Sequence, residues 1–291
     1  RLKRLHAGAR VLVAEDNETN RKVIGRQLAK LGYNAIIACD GEEALAVWRQ
    51  HPFALVLTDC HMPKMDGFQL TRGIRAAESP DDPAMRVPII AITANAMKGE
   101  AERCLAAGMD DYLTKPTQLD KLAATLRKWA PAGDPVDGDG AESAVAGERA
   151  AEHVGADSTI DSTIDVDDDA DGSVDEAALP EAIGSDDSEL LEEFYRTYAT
   201  GADEILAEMA QCHAIRDLPS LGSLAHKLKS SSATIGAHRL SRACIDLERA
   251  AKAGDWTGCD ERYRKIAGHH ALVRRWLTTW FARRTTSATN H

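Results

Sequence analysis

The 291-residue sequence is poor in aromatic residues, at 5% of the chain, and its six cysteines are scattered without metal-ligand spacing. Such cysteine usage suits a reducing compartment. No apolar run approaches the length of a membrane-spanning helix, and no signal peptide opens the chain. A cytoplasmic position with no direct membrane insertion is therefore expected. Helix-turn-helix and zinc-finger patterns are missing, and no folded stretch has a strongly basic balance, which argues against nucleic-acid partners. The first residue is Arg1 rather than methionine, and RLKRLHAGAR reads as a linker entering a domain, as in a piece of a longer protein.

What is present falls into three stretches: 9–130, 131–172 and 173–286. The middle stretch concentrates the charge. Of its residues 13 are acidic and only Arg149 is basic, so it carries −12 against −11 for the whole chain and leaves the remainder at +1. It is rich in Pro, Gly, Asp and Ala with almost no large apolar side chains, so it cannot bury enough surface to fold alone and reads as a disordered linker. DSTI repeats in tandem at 157–164, a local slip. DDDADGSVDEAA, from Asp167, imitates a calcium loop, but the twelfth position needs a bidentate glutamate and holds Ala178, so no calcium site is expected.

Over 9–130, apolar runs alternate with helix-period segments. RVLVAE, NAIIA, ALVLTD, VPIIAIT and DYLTK read as strands. Asp40 is placed to cap the following helix, with Glu43 in the capping-box position. Gly32 and Gly108 are placed to end helices. Five strands alternating with helices imply a doubly wound α/β domain, its parallel sheet covered on both faces. Functional groups in that architecture gather at the carboxyl ends of the strands. Those ends bring Glu15, Asp16, Asp59, Thr93 and Lys115 to one edge. Three carboxylates in one place repel unless a cation holds them, and all-oxygen ligation suits a hard ion such as Mg²⁺. A cation with a lysine also stabilises a phosphoryl group in transfer to an aspartate, and the Thr93 hydroxyl can bond a phosphoryl oxygen.

The motifs VLVAEDN, TDCHMPKMDG, ITANA and LTKP, in order and at matching spacing, resemble the receiver domain of response regulators, with a five-stranded flavodoxin-like fold. The resemblance implies that Asp59 is the phosphoacceptor. Asp16, Asp59 and the backbone carbonyl of His61 would bind Mg²⁺, with Glu15 acting through water. Thr93 would be the switch hydroxyl, Tyr112 the switch aromatic and Lys115 the cation on the phosphoryl group, and Pro116 would follow a cis peptide bond. Haloacid-dehalogenase-like phosphatases also use a strand-end aspartate, but they need a second Asp two positions on, where this chain has His61. The Cys60–His61 pair makes no metal site and is read as inert.

From 173 to 286 the pattern is all helical. Wound at roughly 100° per residue, Leu221, Leu224, Ala225, Leu228, Ser232 and Ile235 form one apolar stripe. His226 falls almost opposite, among Gly222, Ser223 and Ser230, with Lys229 one turn on. The imidazole is expected to face water on a low surface. In the final helix, Leu272, Trp276 and Trp280 beside Val273, Leu277 and Phe281 make two apolar columns near a basic set of arginines. A bundle helix is preferred to a membrane-surface helix, because the other helices need partners for their own stripes.

The stretch HKLKSSSATIGA resembles the histidine phosphotransfer (HPt) pattern H-x-L-K-G-S-S-x-x-x-G-A, a four-helix bundle, and departs from it in having Ser230 at the glycine position. A neutral imidazole is a nucleophile, and Lys229 can steady the phosphoryl oxygens. A receiver joined to an HPt bundle resembles the C-terminal part of a hybrid sensor histidine kinase. That implies phosphate passing from an upstream kinase core to Asp59, then to His226, then to a separate response regulator. The stretch would transfer phosphate without using ATP, on the cytoplasmic side of a membrane-bound parent. The 42-residue linker spans roughly 35–40 Å, so contact between the chain's own receiver and bundle is expected, at an effective concentration on the order of millimolar. The rival reading is a docking or scaffold module that is never phosphorylated.

Overall fold

A computed structural model describes residues 10–78, 86–93, 98–130 and 172–288. The linker through residue 171, the first five positions of the calcium-loop look-alike and Ala94–Ala96 of the ITANA motif lie outside them.

The first part alternates β1 (Arg10–Ala14), α1 (Glu18–Lys30), β2 (Asn34–Ala38), α2 (Gly41–Gln50), β3 (Leu55–Asp59), α3 (Gly67–Ala77), β4 (Ile89–Thr93), α4 (Lys98–Ala106), β5 (Asp111–Thr114) and α5 (Leu119–Trp129). The strands pair in parallel in the order β2-β1-β3-β4-β5, the flavodoxin-like arrangement. Every residue of β3 and β4 is buried, as continuous apolar runs between two helical layers require. Register sets Ala14 beside Thr58, Asp59 beside Ile92 and Thr93 beside Thr114, so the strand ends finish level. The order reverses between β1 and β3, and a crevice forms at their carboxyl ends.

Turn chemistry follows the sequence closely. Gly32 and Gly108 have φ of 80° and 98°, the left-handed geometry a helix end favours. Asp40 caps α2 by accepting from Glu43 N at 2.9 Å. The reciprocal half of the expected box is not made to Asp40, because the Glu43 carboxylate reaches Cys39 N at 2.8 Å instead. A full capping box stands at α3, between Asp66 and Gln69. The Lys115–Pro116 peptide is cis.

The second part holds a short α6 (Ala178–Ile183) and four long helices, α7 (Ser188–Ala214), α8 (Leu218–Thr234), α9 (His238–Lys252) and α10 (Trp256–Ala288). Their stripes meet in one core containing Tyr195, Tyr198, Leu228, Leu247, Val273 and Trp276. The columns of α10 are spent within the bundle: Trp276 and Trp280 both stand edge-on to Tyr195 of α7, at 5.3 and 4.9 Å between ring centroids. Among the described residues no helix is long and apolar enough to cross a membrane.

The two parts are packed together through α1. Val23 of α1 is buried in the bundle's core cluster. Lys22 Nζ reaches Glu193 at 3.0 Å and Thr197 at 2.8 Å, both on α7. Gln27 Nε2 donates to Ala182 O of α6 at 2.6 Å and to Thr117 O at 2.7 Å.

Candidate functional site

Parallel strands ending level force the acidic residues of β1 and β3 into one crevice. Glu15, Asp16 and Asp59 offer oxygens that all lie within 4.8 Å of one another. Lys115, just past β5, bridges two of them, with Nζ 2.6 Å from both Glu15 Oε2 and Asp59 Oδ2. Asp59 Oδ1 also accepts from His61 N at 3.1 Å. Thr93, at the end of β4, is buried at the same edge.

Burial and charge compete at these groups. Burial, helped by the charges of Asp59 and Asp16, raises the Glu15 carboxyl to about 7 despite the Lys115 ammonium beside it. Burial likewise raises Asp16, against the attraction of Lys227. At Asp59 burial also works upward, but the charge and hydrogen bond of Lys115 outweigh it and hold the carboxyl below its ordinary value. Burial would lower Lys115, yet Asp59 and Glu15 prevail and raise it, so the ammonium stays charged. Three carboxylates against Lys115 and Lys227 make an oxygen-only donor set with residual negative charge, which suits a hard divalent cation.

The second half of the site comes from α8. His226 is not the exposed imidazole that helical periodicity predicts: its side chain is only 15% exposed. Periodicity places it off the stripe that α8 turns to its own bundle, but two other elements cover it. From the first part, the His61 ring stands edge-on at 5.0 Å between centroids. From α9, Glu248 Oε1 lies 3.2 Å from His226 Nδ1. Gly222, Ser230 and Lys229, expected around an open face, are buried as well.

Glu248 is the anchor of this half. Besides His226 it accepts from Lys229 Nζ at 2.8 Å and Lys252 Nζ at 2.6 Å. Burial would raise its carboxyl, but the bonds from His226, Lys229 and Lys252 outweigh burial and hold it well below the carboxylate range. An ionised carboxylate facing Nδ1 takes its N–H, which assigns the imidazole lone pair to Nε2. Lys229 Nζ also stands 3.2 Å from Nδ1.

A cleft of ≈ 540 Å³ joins the halves, lined by Asp16, His61 and Asp66 on one side and by Ser223, His226 and Lys252 on the other. The structure thus brings together Glu15, Asp16, Asp59, His61, Thr93, Lys115, His226 and Lys229. Tyr112 is apart from the carboxylates, on β5, and remains 38% exposed. Sequence reasoning missed Glu248, Lys227 and Asn20. Lys227 Nζ lies 3.2 Å from Asp16 Oδ2, and Asn20 Nδ2 donates to Glu15 Oε1 at 3.1 Å. The available signal was faint: Glu248 follows Cys244 by one turn, at the margin of the buried stripe of α9.

Comparison with known proteins gives two family matches, the response regulator receiver domain over residues 11–127 and the Hpt domain over residues 193–277. The virulence sensor protein BvgS of Bordetella bronchiseptica is 32% identical over 278 residues, 94% of this chain but 21% of its own length. The sensor histidine kinase RcsC of Escherichia coli K12 is 41% identical over 120 residues, 41% of this chain and 12% of RcsC. A solved receiver domain of a Pseudomonas aeruginosa PAO1 sensor histidine kinase, with magnesium in its active-site cleft, is 43% identical. It covers 42% of this chain and 98% of its own, with a TM-score of 0.39. The chain spans about a fifth of the length of BvgS.

Proposed function

As a chain that joins a response regulator receiver domain to an Hpt domain of the two-component phosphorelay, the protein, we propose, passes one phosphoryl group between Asp59 and His226. The observation that carries this reading is that Lys115 bridges Glu15 and Asp59 while His226, anchored by Glu248, packs on His61, two residues from Asp59.

In the first step an Asp59 carboxylate oxygen attacks the phosphorus of a phosphohistidine on an upstream kinase core. An O–P bond forms as the N–P bond breaks, and the leaving imidazole keeps the electron pair. In the second, His226 Nε2 attacks the acyl phosphate, forming N–P and releasing the Asp59 carboxylate. Glu248 accepts the hydrogen bond of the Nδ1–H throughout and, remaining ionised, stabilises the positive charge that grows on the ring. Lys115 and Lys229 supply cationic donors to phosphoryl oxygens from the two sides. Glu15, Asp16, Asp59 and the His61 carbonyl would hold Mg²⁺, whose charge offsets that of the phosphoryl oxygens. Thr93 contributes a hydroxyl at the same edge, and Tyr112 acts as the switch aromatic. Docking through α1 holds donor and acceptor together, so transfer starts from a preassembled pair.

We divide the chain into a receiver at 9–130, an acidic connector at 131–172 and an HPt bundle at 173–286. Its partners are the kinase core of a hybrid sensor kinase and a separate response regulator, on the cytoplasmic side of a membrane-bound parent.

The test is labelling from a small acyl-phosphate donor with Mg²⁺. The parent chain should carry a hydroxylamine-labile label on Asp59 and an acid-labile label on His226. Asp59→Asn should lose both, and His226→Gln should keep only the first. Unchanged labelling of His226 in Asp59→Asn would overturn the order of transfer, and a chain that takes no label would be a docking module.

A further inference from the structure

Three buried polar side chains meet across the interface between the two parts: Asn20 of α1, and Ser230 and Thr234 one turn apart on α8. Asn20 Nδ2 donates to Ser230 Oγ at 3.0 Å, and Asn20 Oδ1 accepts from Thr234 Oγ1 at 3.2 Å. The remaining N–H of the same amide reaches Glu15 Oε1 at 3.1 Å. Ser230 Oγ donates onward to Lys227 O at 3.2 Å, and the Thr234 hydroxyl proton is shared with Ser230 O at 3.0 Å. Asn20 is therefore satisfied at both ends of its amide by the bundle and the carboxylate cluster together. Ser230 is also where the chain departs from the glycine of the HPt pattern, and its added hydroxyl is used.

We propose that Ser230 and Thr234 form a specificity reader on the phosphotransfer face, selecting receivers that present a side-chain carboxamide at the position of Asn20. The inference rests on the relay reading and names the partner of that site. Only a carboxamide supplies two donors, to Ser230 and to Glu15, together with an acceptor for Thr234; a hydroxyl has a single donor. A carboxylate there offers no donor and adds charge beside Glu15. An alkyl group leaves the buried Ser230 oxygen without a donor and the Thr234 hydroxyl with only its own helix's carbonyl, and a site built to hydrogen-bond one group discriminates against its absence. The regulator that takes phosphate from His226 is accordingly a receiver with Asn or Gln at that place on its first helix.

The test is a double-mutant cycle on transfer between whole chains. Donor chains carry His226→Gln, with or without Asn20→Ala, and start with equal amounts of acyl phosphate on Asp59. Acceptor chains carry Asp59→Asn, with or without Ser230→Ala and Thr234→Val together. Loosening of the acceptor's own docked receiver affects both donors alike and cancels in the cycle. Asn20→Ala should slow transfer about tenfold to the intact face and less than about twofold to the face lacking both hydroxyls, a coupling factor of roughly five. A coupling factor below about three overturns the reader, and anything larger supports it. If no donor passes label to any acceptor, the relay reading fails and this inference falls with it.

Discussion

Glu248→Ala offers a quantitative probe of how His226 is prepared for attack. The carboxylate accepts from His226 Nδ1 at 3.2 Å, Lys229 at 2.8 Å and Lys252 at 2.6 Å. The Lys252 side chain is 71% exposed, and such a pair contributes little. The loss therefore falls on the first two bonds. A hydrogen bond to a charged group contributes about 1.5–3 kcal/mol, which is roughly a ten- to 150-fold change in an equilibrium. At 3.2 Å the imidazole bond belongs at the weak end of that range, about tenfold. A second effect adds to it. With the carboxylate gone, Lys229 stands 3.2 Å from Nδ1 with its nearest acceptor removed. It then donates to the Nδ1 lone pair, driving the ring proton to Nε2, where it blocks the nucleophile. Transfer from a phosphorylated His226→Gln chain to an Asp59→Asn chain should slow at least about tenfold in Glu248→Ala. Glu248→Gln keeps an acceptor without the charge and should slow it only about threefold. Quench-flow kinetics measure the rates, and ¹⁵N chemical shifts of His226 report the tautomer directly. Transfer by Glu248→Ala within twofold of the parent, with circular dichroism and melting unchanged, would refute the reasoning. So would a Gln variant slower than the Ala variant.

Two further outcomes follow from the same geometry. The Glu248 carboxyl is held below its ordinary 4.5 by its three donors, so the stability it contributes is fully present above about pH 4.5 and is lost as pH falls through the folded value. The stability gap between the parent and Glu248→Gln, read from thermal melts, should stay constant from pH 7 to about pH 5 and narrow in more acid solution; a gap that widens there contradicts the assignment. At Gly67 an added Cβ would collide with the Asp59 carbonyl and stand 3.0 Å from Thr58 Oγ1. Gly67→Ala should therefore destabilise the receiver by roughly 1–3 kcal/mol and reduce Asp59 labelling, whereas an unchanged melting temperature and label would show that the β3–α3 turn yields without strain.

Much of the carboxylate crevice was legible in the sequence, and the reason is topological. Strands of one parallel sheet all run the same way, so residues that follow apolar runs must reach the same edge. Reading where RVLVAE, ALVLTD, VPIIAIT and DYLTK stop is then equivalent to placing Glu15, Asp16, Asp59, Thr93 and Lys115 together. The apolar stripe of α8 was equally legible, since periodicity describes how one helix meets its own core. The capping box at Asp40 was half right: local spacing brought Glu43 to the helix start, but the neighbouring Cys39 N–H took its carboxylate.

The state of His226 was decided elsewhere. Its orienting carboxylate lies 22 residues on, in another helix, and the ring that covers it belongs to the other end of the chain. Asn20 and Ser230 are separated by 210 positions, and although Ser230 stands where the HPt pattern has glycine, nothing local to either residue names the other as its partner. Periodicity fixes which face of an element is apolar, because that depends only on the geometry of the element itself. What covers the opposite face depends on how distant elements cross, and here α1 docking against α6, α7 and α8 turned an outward imidazole into one half of an enclosed pair.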